Sequence, residues 1–136
     1  MGAVPVAQPA VTWLDAPEEH DYPAAAAYLS LVADDGLVAD LVARLRRAPT
    51  IYQKAKDLLR ASNLPLLERD NKHVAADLHK VSRGQALSPV LLVRGDLTTG
   101  TPLVVADGYH RVCASYHTDE NTDIPCRLVP VVGDPR

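Results

Sequence analysis

The pentapeptide Asp107-Gly108-Tyr109-His110-Arg111 places a carboxylate, a flexible backbone position, a phenol, an imidazole and a guanidinium side by side. Val112 and Tyr116 lie four apart, so helix spacing continues from Arg111 onward. A helix that starts there leaves the N–H groups of Gly108, Tyr109 and His110 without intrahelical acceptors. Those donors, the positive end of the helix dipole and the side chains of His110 and Arg111 converge on one point. Phosphate is the usual anion at such a point. A plainer reading uses the same residues: Asp107 caps the helix, Gly108 makes a tight turn, and Arg111 is a solvated charge. Asp107 is itself an anion beside the anion site. It fits there if it holds a divalent metal or turns aside to cap the helix.

The turn needs a strand before it and a packed helix after it. Leu103 to Ala106 is an apolar run bounded upstream by Gly100 and Pro102, and reads as a buried strand. The helix after the turn runs to about His117. Ile124 to Val132 reads as a last strand and Pro89 to Val93 as an earlier one. Asp70 or Asn71 caps a helix through about Ser82, with Val74, Ala75, Leu78 and Val81 on its apolar face and Gly84 at its end. Leu64-Pro65-Leu66-Leu67 has the composition of an edge strand.

Upstream, Asp21 and Pro23 open an Ala-rich helix to Val32. A second helix spans Leu37 to Ala48, and Thr50 caps a third whose stripe is Ile51, Ala55, Leu58 and Leu59. The predicted organisation is a flexible leader (1–21), a helical preface (22–62) and a core (63–132). The class is α+β: a small mixed sheet with packed helices, preceded by an N-terminal helical segment.

An apolar content of 47% suffices for one core, and no apolar run approaches the ~18 residues of a membrane span. Residues 1–13 carry no Lys or Arg and so lack the charged start of a signal peptide; a cytoplasmic location is expected. Cys113 and Cys126 match no zinc spacing and read as two buried thiols. The net charge of −3 argues against a dedicated nucleic-acid partner. Charge is uneven: residues 1–40 are acidic, whereas Arg44, Arg46, Arg47, Lys54, Lys56 and Arg60 crowd the next stretch. That stretch is a solvated helix face, or it pairs with the acidic segment of a neighbouring subunit. Residues 22–60 are therefore the place to expect a homo-oligomer or a protein partner.

Four segments together resemble the ParB/sulfiredoxin superfamily, over roughly residues 58 to 132. They are Asp70-Asn71-Lys72-His73-Val74, Leu87-Ser88-Pro89-Val90-Leu91-Leu92-Val93, Val105-Ala106-Asp107-Gly108-Tyr109-His110-Arg111 and Ile124-Pro125-Cys126-Arg127-Leu128-Val129. The resemblance implies a nucleotide site for ATP, ADP or CTP. The turn Gly108, Tyr109, His110 and Arg111 would wrap the phosphates, with polar contacts from Asn71, Lys72 and His73. Tyr109 stands where sulfiredoxins carry their catalytic cysteine, so thiol chemistry is not expected. The Gly-Glu-Arg-Arg turn usual in ParB proteins is replaced, and their downstream helix-turn-helix is not expected. The turn is closer to the kinase-like and unassigned single-domain members.

The leading expectation is an enzyme that hydrolyses a nucleotide or transfers a phosphoryl group from it. Arg111 and the helix end would hold the phosphate charge, and His110 would donate to a phosphate oxygen. Asp107, Glu68 or Asp70 would accept a proton or hold Mg²⁺, with Asp107, His110 and Glu68 as catalytic candidates and Asp107 and Asp70 as metal ligands. The alternative is a non-enzymatic nucleotide sensor or adaptor. A metal-dependent nuclease is disfavoured, since His73 and His79 are six apart rather than four.

Overall fold

The computed structural model describes residues 9–132. Its elements are α1 (Asp21–Leu29), α2 (Asp35–Arg47), β1 (Ile51–Lys54), α3 (Ala55–Ser62), α4 (Lys72–Ser82), β2 (Val90–Val93), β3 (Val104–Asp107), α5 (Tyr109–Thr118) and β4 (Asp123–Val129). The four strands form one mixed sheet in the order β1-β4-β2-β3. β2 runs parallel to β4, with Val90 opposite Cys126, and the two outer pairings are antiparallel. The α+β class with a small mixed sheet is what the periodicity predicts.

Both faces of the sheet are covered. Val90 and Leu92 of β2 join Val74, Val105, Val112, Cys113, Ile124 and Cys126 in a core beneath α3, α4 and α5. Leu91 and Val93 point the other way and pack with Ala25, Leu29, Leu41, Leu45 and Val129 under α1 and α2. This explains why β2 is apolar at every position: a central strand buried on two sides does not alternate. The preface helices are thus the cover of one sheet face. Each large side chain they shield is worth roughly 1.5–3 kcal/mol of burial.

Several local expectations differ from what is found. Residues 51–54 are a strand, β1, where a helical turn is expected after Thr50; pairing of Ile51 with Cys126 and Gln53 with Ile124 outweighs the helix stripe. The helical preface therefore contains a strand. Leu64 to Leu67 forms no strand. Within the expected leader, Leu14 N–H donates to the Leu87 carbonyl and Leu87 N–H to the Thr12 carbonyl, both at 2.8 Å, so this stretch lies alongside the chain entering β2. Residues 1–8 of that leader lie outside the described residues. The basic stretch finds an acidic partner in its own chain, Arg46 to Glu19 at 2.7 Å. Cys113 and Cys126 are both buried and free, as expected. Among the described residues, no helix is long and apolar enough to cross a membrane.

Candidate functional site

The β3–α5 turn closes over Val90. Gly108 is the residue that caps α5, at φ 111° and ψ 15°, and it has no side chain to offer the helix. A Cβ there would overlap Val90 Cγ1, lie 2.9 Å from Val90 Cβ and 3.0 Å from Arg111 Nη2. Glycine is thus required twice, by backbone sign and by close approach. The expected cap, Asp107, instead ends β3, and its carboxylate accepts from Arg111 Nη2 at 3.0 Å. The same nitrogen donates to the Pro89 carbonyl at 3.2 Å. Arg111 is therefore folded back as a brace between β2 and β3, and its Nε is buried without a partner. The α5 N-terminus keeps no side-chain cap.

Behind Asp107 stands a residue that the sequence pattern does not connect to the turn. Asp21, at the start of α1, is 3% exposed. It does not cap α1; its carboxylate turns inward, accepting from the Ser88 hydroxyl and, at 2.9 Å, from the Glu18 N–H. Burial pushes the Asp107 carboxyl up; the Arg111 guanidinium pulls it down, and the nearby Asp21 charge adds to the rise.

The other side of the turn faces α4. Asn71 caps that helix, its side-chain oxygen accepting from His73 N–H at 3.0 Å and Val74 N–H at 3.2 Å. The cap brings the His73 ring to 4.7 Å from the His110 ring, tilted by 47°. Tyr109 packs at 5.7 Å from His110, and its hydroxyl donates to the Pro65 carbonyl. Burial, then the charges of His73 and Arg111, holds His110 below the ordinary imidazole value against the pull of Asp77. Lys72 is exposed.

One helical turn beyond His73, Asp77 projects from α4 into a polar cavity of about 260 Å³. Arg111, Lys80, Gln85, Ser88 and Asp21 also line it, with Glu18 and His20 at its rim. Burial raises the Asp77 carboxyl above its ordinary range, opposed by Arg111, Lys80, His110 and His73.

Of the residues singled out in the sequence, Asp107, Gly108, Tyr109, His110, Arg111 and His73 come together. Asn71 stands beside them but is spent on the cap. Glu68 and Asp70 are exposed in the turn before α4, where the Glu68 carbonyl accepts from Asn71 N–H at 3.0 Å. Among the described residues, no hydrogen bond or ion pair joins either side chain to Asp107, His110 or Arg111. Asp107, expected to hold a metal with Asp70, is paired with Arg111 at 3.0 Å. Glu18, His20 and Asp21 are the group whose ligand atoms lie within 4.8 Å of one another, but Asp21 is occupied by Ser88 and Glu18. The residues missed are Asp77, Asp21 and Ser88. Asp77 was findable, since His73, Asp77 and Lys80 share one helix face at i, i+4 and i+7. Comparison with protein-family models, curated proteins and solved structures finds no match for this chain.

Proposed function

We propose that this protein binds a nucleotide of the ATP, ADP or CTP class and hydrolyses it or transfers a phosphoryl group from it. The observation that carries the reading is the meeting of His73 and His110, from two helices, at a helix N-terminus that no side chain caps. The two imidazoles offer ring N–H donors. The backbone N–H groups of the first turn add theirs, and the helix dipole favours an anion. The resemblance of the turn and of the Asn71–Val74 segment to the ParB/sulfiredoxin type supports the same ligand. Arg111 takes a different part from the one first expected. It braces Asp107 and Pro89, holding the turn in shape, and His73 with His110 are the phosphate-facing pair. Mg²⁺ arrives in this reading with the nucleotide, whose phosphate oxygens are the hard ligands it prefers.

The test is a thermal-shift panel of ATP, ADP, CTP, GTP and pyrophosphate, with and without Mg²⁺, on wild type, His110→Ala and His73→Ala. Ligand at a hundredfold its Kd stabilises the fold by about 2.7 kcal/mol. A shift in wild type that both variants lose supports the site; no shift with any nucleotide refutes it. A phosphate-release assay then separates the enzyme from the sensor. One observation favours the sensor: α1 presents Asp21 to the site at one end, while Tyr28, Leu31 and Val32 stand exposed at the other.

A further inference from the structure

Glu18, Asp21 and Asp77 line the polar cavity beside the turn, and Asp107 is joined to it through Arg111; of these four carboxylates, three are committed. Asp107 is bound by Arg111. Asp21 is bound by the Ser88 hydroxyl and the Glu18 N–H. Glu18 lies at the rim, 3.2 Å from His20 Nε2. Asp77 is the exception: half-buried, it has no hydrogen-bond or ion-pair partner among the described residues. Its neighbours are cations and imidazoles, with His73 and Lys80 on its own helix and His110 and Arg111 on α5. The opposite wall carries Asp21, Glu18 and His20 of the α1 region and Ser88 ahead of β2. Asp77 is therefore the carboxylate of this cavity left open to whatever enters it, as a proton-accepting group must be.

We propose that this cavity receives the phosphoryl acceptor, an alcohol hydroxyl or water, and that Asp77 is the catalytic base that removes its proton. The inference rests on the nucleotide reading and names the acceptor side of the same site. The volume suits a small polar molecule or a few waters, and Ser88 and Gln85 supply polar contacts for it. In the step, the acceptor O–H proton passes to an Asp77 Oδ as the acceptor oxygen bonds to phosphorus. The bridging P–O bond of the nucleotide breaks, and its electron pair leaves with the nucleoside product. Asp77 then returns its proton to solvent through the mouth of the cavity. Burial, by raising this carboxyl, improves it as a base near neutral pH.

The experiment combines nucleotide thermal shift with phosphate release from Mg·ATP and Mg·CTP, water serving as acceptor. It uses wild type, Asp77→Asn and Asp77→Glu across the pH range. Asp77→Asn is expected to keep the fold and the nucleotide shift and to lose phosphate release by about 10²-fold or more. The acid limb of the wild-type pH profile should vanish with it, and Asp77→Glu should restore part of the rate. Wild-type turnover and an unchanged pH profile in Asp77→Asn overturn the assignment. So does a wild type that binds nucleotide yet releases no phosphate. A wild type that binds no nucleotide fails earlier, at the α5 turn, and removes the ground on which this inference stands.

Discussion

Replacing Gly108 with alanine tests whether the turn is built by packing or by ligand. The added methyl meets Val90 Cγ1 directly and stands 2.9 Å from Val90 Cβ, an atom fixed to the β2 backbone that cannot swing aside. Overpacking of this kind costs typically 1–3 kcal/mol. The backbone sits at φ 111°, where an L-residue is strained, adding about 1 kcal/mol. The sum is about 2–4 kcal/mol. For a chain between the small and mid-size ranges, that lowers Tm by roughly 6–16 °C. The assay is thermal and urea unfolding of wild type, Gly108→Ala, Val90→Ala and the double variant, without nucleotide. Val90→Ala removes Cγ1, the nearest atom, and keeps Cβ at 2.9 Å, so relief is partial and the double variant should be more stable than the two single losses predict, by about 1 kcal/mol. A Gly108→Ala protein melting within about 2 °C of wild type, or a strictly additive double variant, refutes the packing argument. Gly108 would then be there only to let a phosphate approach.

His110 has a folded pKa below its unfolded one, so below about pH 6.5 the unfolded chain binds the extra proton and stability falls with pH. Phosphate affinity should rise over the same window as the imidazolium forms. His110→Gln should flatten both slopes in denaturation and nucleotide titrations, and unchanged slopes would sink the assignment. Asp21→Ala strands the buried Ser88 hydroxyl and should cost about 1–3 kcal/mol in urea unfolding; a wild-type midpoint would show that α1 is not anchored there. Cys113 and Cys126 are fully buried, and burial pushes both thiols up, Cys126 to about 12. A maleimide should label neither in the native protein and both in denaturant, and Cys113→Ser should leave phosphate release intact.

The elements carried by strong local patterns were legible in the chain. Asn71 reads as a cap and is one, because a side-chain oxygen two and three residues ahead of free N–H groups needs nothing from elsewhere. The strand–turn–helix around Gly108 follows from an apolar run, a glycine and i, i+4 spacing, all short-range. Two buried thiols and the α+β class followed from composition and order. β1 was not legible. Residues 51–62 carry a helix stripe throughout, and only pairing with β4, some seventy residues away, pulls its first four residues into a strand. Asp107 reads as a cap by spacing alone. Its use as the acceptor for Arg111 depends on where the Pro89 carbonyl and Asp21 lie. Which carboxylates surround the site was decided by tertiary structure alone. Asp21 reaches it because α1 packs across β3, whereas Glu68 and Asp70 are exposed in the turn before α4. Local sequence determines how a segment folds, since caps, turns and periodicity act over a few residues. Which side chains share a cavity depends on how separate segments pack, and no spacing within any one of them records that.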